Sequence, residues 1–180
     1  MDNATKPDLI IRTVTAGEAA HYNDFFRGGV LAHPESFRVT AADFADSPFD
    51  PSPSPDGFTL VATANNDAEW LGVVSVEREP GRAKRQHVAW LVRMYVAGFA
   101  AGRGLGRRLV RTAVARSKSD LHGVEQLNLT VLAANEPAKH LYASEGFAMF
   151  AHEPDALRGA DGVYQAEEQM RLSLKSDATR

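Results

Sequence analysis

Two short stretches of the chain hold the residue types and spacings that could do chemistry. The first is MYVAGFAAGRGLGRRLV, residues 94–110, where Gly102, Gly104 and Gly106 alternate and Arg103, Arg107 and Arg108 stand among and directly after them. Glycine reaches backbone angles closed to other residues and lets a ligand approach the main chain. If a helix opens here, its first turn offers unpaired N–H groups at the positive end of the dipole. Such a loop can cradle a phosphate, and the arginines add charge to it. Taken as plain structure, the same loop only caps a helix and packs it closely on a strand. Two familiar phosphate loops are excluded. A P-loop needs a lysine and then Ser or Thr after its last glycine, and Gly106 is followed by Arg107 and Arg108. The dinucleotide fingerprint needs a glycine where Arg107 stands and opens on the first strand of a parallel unit.

The second stretch is LTVLAANEPAKHLYASEGF, residues 129–147. Asn135 suits a helix N-cap, with Glu136 and Pro137 opening the helix, and Gly146 terminates it. Ala138, Leu141 and Tyr142 fall on one face of that helix. As structure alone this is an ordinary strand, helix and strand, in which Tyr142 is a core residue.

The elements that must position these stretches are readable along the chain. LIIRTVT, residues 9–15, is β-branched and predicts a strand, and AGEAAHYNDFFRGGV predicts a helix through Ala19, Tyr22, Phe25 and Phe26. PESFRVTAADFA, residues 34–45, predicts a second short helix. DSPFDPSPSPDG carries four of the nine prolines and is expected to be a surface loop inside one domain. FTLVATA, WLGVVSVER and HVAWLVRMYV, separated by polar turns, predict an antiparallel meander. The glycine-rich loop then opens a helix on Leu105, Leu109, Val110, Ala113 and Val114, and VEQLNLTVL predicts the strand before Asn135. GFAMFAHE and VYQAEEQMRLSL close the chain as strands, with Tyr164, Ala166, Met170, Leu172 and Leu174 expected on one face of the last. The order β-α-α-β-β-β-α-β-α-β-β predicts an α/β (α+β) fold, a mixed and mostly antiparallel sheet of about seven strands with helices on both faces.

Bulk composition narrows the function classes. The 180 residues fit one domain over residues 1–180, with a core of about 9–174, and the formal net charge of −3 argues against a nucleic-acid binder. Charge is unevenly spread: residues 81–120 hold ten of the 20 basic residues and one acid, Asp120, whereas residues 1–80 hold 13 acids and five bases. That asymmetry points to one local anion site. The absence of cysteine excludes disulfides, thiolate metal sites and cysteine nucleophiles. The histidines show no metal-ligand spacing, so no metal is expected. MDNATKPDLI has no apolar core segment and no run approaches a membrane span, so a cytoplasmic location without membrane contact is expected.

Together, the two stretches in this element order resemble the GCN5-related N-acetyltransferase (GNAT) superfamily, of the small bacterial type. The superfamily's first motif, Arg/Gln-x-x-Gly-x-Gly/Ala, lies five residues beyond an apolar strand end; here Val96 is followed by AGRGLG at 101–106. Its second motif, Asn-x-x-Ala-x-x-Leu-Tyr-x-x-x-Gly-Phe, is matched by Asn135, Ala138, Leu141, Tyr142, Gly146 and Phe147. One departure is Ala101 in place of Arg or Gln, which removes a side-chain donor to the pyrophosphate; Arg103 or Arg107 is expected to compensate.

The resemblance implies a fold and a reaction: acetyl-CoA as cosubstrate, with the acetyl group moving to a primary amine of a small molecule or peptide. It places the pyrophosphate on the N–H groups of Gly102, Arg103, Gly104, Leu105, Gly106 and Arg107. It sets pantetheine along Met94, Tyr95 and Val96 and against Asn135, and makes Tyr142 the general acid. A free phenol with pKa near ~10 keeps its proton at neutral pH and can give it to a leaving thiolate. Lys139 is a weaker candidate for a phosphate contact. One branch of the superfamily carries a glutamate base five residues before the asparagine, but Thr130 stands there. His87, Glu77 or a chain of waters remain as bases, while His140 and Glu136 are expected to face solvent. Trp70 and Trp90 are read as core or rim packing, and GRAKRQ as a solvated hairpin. A catalytically silent acyl-CoA sensor is the alternative function, and a homodimer stays open beside a monomer.

Overall fold

The computed structural model describes residues 9–64 and 67–175 of the chain. The N-terminal stretch before Leu9 and part of the polar turn after Ala64 lie outside the described residues. The strands are β1 (Ile10–Thr13), β2 (Gly57–Ala64), β3 (Glu69–Glu77), β4 (Val88–Val96), β5 (Gln126–Leu132), β6 (Ala148–Arg158) and β7 (Tyr164–Ser173). They form one seven-stranded sheet in the order β1-β2-β3-β4-β5-β7-β6. Only β4 and β5 run parallel; every other neighbouring pair is antiparallel, as the meander predicts. The helices are α1 (Ala19–Ala32), α2 (Asp43–Asp46), α3 (Leu105–Asp120) and α4 (Glu136–Ser144).

The sheet has a core on each face. On one, Leu60, Val74, Leu91, Leu127 and Leu129 pack with Leu105, Leu109 and Ala113 of α3 and with Tyr142 of α4. On the other, Val61, Val73 and Trp70 pack with Tyr22, Phe26 and Val30 of α1 and Phe44 of α2. All eight residues of β2 are therefore buried, which is why its sequence shows no polar alternation.

Strand β4 departs from a regular ladder at Arg93. Ser75 of β3 pairs with Val92 and Val73 pairs with Tyr95, so two residues of β4, Arg93 and Met94, stand opposite the single Val74. Arg93 takes the bulged conformation, with φ 51°. A slip of one residue exchanges the faces of everything beyond it. Ala89 and Leu91 before the bulge and Met94 and Val96 after it thus share the α3 face, while Tyr95 turns to the α1 face.

Two expectations need correction. The helix expected over residues 34–45 is a 3-10 turn at Pro34–Ser36 and the single turn of α2. The link between them is extended at Phe37, because Phe37 and Val39 bury against the α1-side core rather than line a helix. In β7 the alternation holds for Met170, Leu172 and Leu174, which join the α4-side core, but Tyr164 is exposed beside Arg158. The opposite face of β7 carries the buried Glu167 instead.

The proline-rich segment is a surface loop, as expected, and polar anchors hold it. Asn23 of α1 brackets Phe49, giving Nδ2 to its carbonyl at 2.8 Å and accepting its N–H at 2.9 Å. Arg78 donates to Asp56 at 2.8 Å, to the Pro55 carbonyl at 3.0 Å and to the His122 carbonyl at 2.8 Å. Among the described residues no helix is long and apolar enough to cross a membrane.

Helix α3 lies unusually close to the sheet at Gly72, where a Cβ would stand 2.9 Å from the Tyr95 carbonyl oxygen and 3.0 Å from Leu109 Cδ1. Backbone and a fully buried leucine cannot both give way. Gly72→Ala is expected to lower stability by about 1–3 kcal/mol, seen as a lower urea midpoint with unchanged slope. A midpoint equal to wild type would show that the helix has room to move.

Candidate functional site

The parallel pairing of β4 with β5 covers Val88, Ala89 and Trp90 on β4 and stops there. Beyond Trp90 the two strands diverge, and among the described residues no strand lies against that edge of β4. The gap opens into a cleft of about 630 Å³, lined by β4 from Trp90 to Val96, by Thr130 to Leu132 of β5 and by α4. Met94, Tyr95, Val96, Asn135 and Tyr142 of the sequence-derived set all line it.

Both helices that follow the parallel strands begin at this end of the sheet. The loop into α3 has φ 75° at Gly102 and 74° at Gly104, left-handed values that only glycine adopts freely. Between them Arg103 is exposed, as is Ala101. The first N–H bonded within the chain after the loop is that of Arg108, which reaches the Gly104 carbonyl at 3.1 Å. Among the described residues the six N–H groups of Gly102, Arg103, Gly104, Leu105, Gly106 and Arg107 have no acceptor. The Leu105 side chain is core, so only its backbone is available. Gly106 serves contact: a Cβ there would stand 3.2 Å from Leu141 Cδ2 and 3.4 Å from Met94 Cε, both cleft residues. That contact sets the loop beside the cleft.

The Arg107 side chain is engaged within the chain. Its Nε pairs with Glu145 Oε1 at 2.9 Å and its Nη2 donates to Ser144 Oγ at 3.1 Å. Glu145 also takes Arg111 at 2.8 Å, so the end of α4 is clamped to α3 through this carboxylate. The side chain of Arg103 has no such partner among the described residues, nor has that of Arg108, and Arg103 stands within the run of free N–H groups. Lys139 is engaged, with Glu136 and Glu168 at 3.0 Å each and the Ala133 carbonyl at 3.1 Å.

Asn135 caps α4, its Oδ1 accepting the Ala138 N–H at 3.2 Å, which leaves the Nδ2 donors for the cleft. About two helical turns further on, Tyr142 is almost wholly buried, its ring edge-on to Phe147 at 5.9 Å. Among the described residues its hydroxyl has no hydrogen-bond partner. Burial pushes the phenol well above the usual tyrosine range, so it is a neutral donor throughout the physiological span.

In the wall opposite α4 the sequence singled out Tyr95 and Glu77 but not Phe37, Arg38, Phe49 or Arg93. Phe37 and Phe25 lie on Tyr95 with ring centroids 6.1 and 5.3 Å apart, and Phe49 carries the Arg93 guanidinium 4.6 Å from its centroid. Arg93 donates Nη2 to Glu77 at 2.6 Å. Arg38 forms an ion pair with Glu167 of β7. Arg38, Glu77, Trp90 and Arg93 all line the cleft. Trp90 is thus a rim residue and Trp70 a core residue, while His87 stands exposed at the opposite end of β4 and does not reach the site. Among the described residues no group of three His, Asp or Glu side chains could hold a metal.

The pattern of the acetyltransferase (GNAT) family matches residues 22–147. A mycothiol acetyltransferase of Jonesia denitrificans is 31% identical over 119 residues, which is 64% of this chain and 35% of that protein. The chain thus spans about a third of the length of the curated relatives it matches. A GNAT-family acetyltransferase from Streptococcus pneumoniae superposes with a TM-score of 0.78 at 20% identity, covering 92% of this chain and 99% of that one. A phosphinothricin acetyltransferase from Sinorhizobium meliloti, solved in complex with acetyl-CoA, gives 0.72 at 17% identity over 96% and 92%. At those identities the likeness establishes the fold.

The loop geometry is directly testable. No atom lies within 4 Å of a Cβ placed on Gly104, so a substituent there meets left-handed strain and nothing else. Gly104→Ala is expected to lower stability by about 1–2 kcal/mol and Gly104→Asn by less, because asparagine tolerates that conformation. Equal losses in chemical denaturation would mean that the loop relaxes out of it.

Proposed function

The chain belongs to the acetyltransferase (GNAT) family, and we propose from that premise that it moves an acetyl group from acetyl-CoA to a primary amine. We read residues 1–180 as a single N-acetyltransferase domain, with a core of about 9–174, working in the cytoplasm. The observation that carries this reading is the run of six unpartnered N–H groups from Gly102 to Arg107, at the positive end of the 16-residue helix α3. Such a run fits a pyrophosphate and has no structural use of its own. The unpaired edge of β4 at Met94, Tyr95 and Val96 fits the two amides of a pantetheine arm, which would pair with it as a strand does. Asn135 Nδ2 borders the same path. Arg103, rather than Arg107, adds the side-chain charge missing at Ala101.

Acetyl-CoA supplies the acyl group already activated as a thioester. Tyr142 holds a proton at the wall of the cleft for the sulfur that departs, and its raised pKa keeps the phenol neutral in the resting site. The acceptor's proton leaves through Glu77 or through water, since His87 is remote. The aromatic wall of Phe37, Phe49 and Tyr95 excludes bulk water from the attacking amine.

The deciding measurement is release of free thiol from acetyl-CoA across a panel of amines. Binding without release for every amine would favour the sensor reading. For Tyr142→Phe we expect kcat to fall roughly 10²-fold or more with little change in the acceptor KM. Stability is expected to hold, because the hydroxyl has no partner to lose. Near-normal kcat would make Tyr142 a packing residue. For Arg103→Ala we expect acetyl-CoA to bind roughly threefold more weakly at low salt and near normally at high salt, as for an exposed charge contact. Equal losses at both salt concentrations would remove Arg103 from the phosphate site.

A further inference from the structure

The acceptor side of the cleft has an unusual charge inventory for an enzyme acting on amines. Its lining contains two guanidiniums, Arg38 and Arg93, and one carboxylate, Glu77. Glu77 is engaged by Arg93 at 2.6 Å, so no unpaired carboxylate of the lining is left to receive an ammonium group. The arginines, by contrast, have donors to spare. Arg93 is largely buried, and its Nε has no hydrogen-bond partner among the described residues. Arg38 is anchored through Nε to Glu167, and among the described residues its Nη groups donate to nothing.

Glu167 makes Arg38 more than a surface arginine. Its side chain is only 4% exposed and lies beneath Arg38, and Oε1, the oxygen that pairs in charge with Arg38 Nε, makes no hydrogen bond. Glu167 pairs in register with Leu132 of β5, and Gln169, two residues on, pairs with Thr130, so both project from the cleft-facing side of β7. The charge pair with this buried carboxylate holds the exposed guanidinium at the cleft and leaves its outer nitrogens unoccupied. An arginine held in this way is suited to bidentate recognition of a carboxylate or another oxyanion.

We propose that the acceptor is a primary amine that also carries an acid group, as an amino acid does, with Arg38 reading the acid group and Glu167 acting as its positioning residue. This rests on the acetyltransferase reading above and names the substrate class of the same cleft. The acid group sits on Arg38 while the amine lies toward β4. The amine arrives as an ammonium and gives one proton to Glu77 or water. The neutral nitrogen then bonds to the thioester carbonyl carbon, and the carbon–sulfur bond breaks with its electron pair on sulfur. Sulfur takes the Tyr142 proton, and the second proton lost by nitrogen restores the phenol. The products are the amide, free CoA thiol and one proton.

The test compares three matched series of acceptors at saturating acetyl-CoA: amino acids, their carboxamides, and the corresponding decarboxylated amines, each read as initial thiol release. The expected wild-type preference for the free acid is roughly tenfold to a hundredfold in kcat/KM, the range for a charge-assisted contact. Arg38→Gln is expected to bring the ratio of acid to amide near one, mostly through the KM of the acid, with Arg38→Lys in between. Glu167→Gln leaves the guanidinium charge and loosens its anchor, so the ratio should fall partway; a merely structural role would lower all three series alike and leave the ratio unchanged. Equal use of acids, amides and decarboxylated amines by the wild type overturns the inference and leaves the transferase reading standing. An Arg38→Gln variant that keeps the wild-type ratio does the same. No thiol release from any series overturns the transferase reading and this inference with it.

Discussion

A single extra residue in β4 governs the architecture of the site. The bulge at Arg93 changes which side of the sheet the strand's last residues face, sending Met94 and Val96 toward α3 and Tyr95 toward α1. Without it Tyr95 would enter the α3-side core, and the aromatic wall of the cleft would lose its centre. A left-handed arginine is strained by about 1–2 kcal/mol, and its surroundings over-determine it. Glu77 holds one end of the guanidinium, and Phe49 lies under its plane. Strand β4 stops pairing with β5 three residues before the bulge, so the strand bends away with one edge unpaired. In a folded sheet an unpaired internal edge is costly unless something takes its hydrogen bonds.

The second consequence lies at the end of the sheet. Because β4 and β5 are the one parallel pair, the helices that follow them start side by side, and both point their N–H groups the same way. The two starts are finished differently. Asn135 closes α4 from within, using its own side chain as the acceptor. Helix α3 has glycines where a cap would stand, and its N–H groups stay open. The contrast is between a helix start closed by its own side chain and one left open. The close approach of Gly106 to Leu141 and Met94, and the clamp of Arg107 and Arg111 on Glu145, hold the open start against the closed one.

The other face of the cleft is built by long-range association. Loop residues Phe37, Arg38 and Phe49 reach it from the segment between α1 and β2, while Gln169 reaches it from β7, whose Glu167 lies buried beneath Arg38. These elements are more than a hundred residues apart in sequence. The segment carries only a 3-10 turn and one α-helical turn because its aromatic residues bury into the α1-side core, which overrides the helical tendency of its polar stretches.

The sequence by itself determined the element order, the mixed sheet, the glycine-rich loop with Gly102 and Gly104 at the start of α3, the Asn135 cap and the presence of Tyr142 on the same helix. Those features are local: hydrophobic period, cap chemistry and glycine placement act over a few residues and leave marks in the residue string. Tertiary structure alone decided the bulge at Arg93, because HVAWLVRMYV reads as a strand whether or not one residue is extruded. It also decided that Arg107 turns to Glu145 and leaves Arg103 exposed, that His87 stands at the wrong end of β4, and that Arg38 meets Glu167 across the cleft. A charge shows its sign in the sequence, but its partner is fixed only when the sheet brings distant strands and loops within a few ångströms of each other.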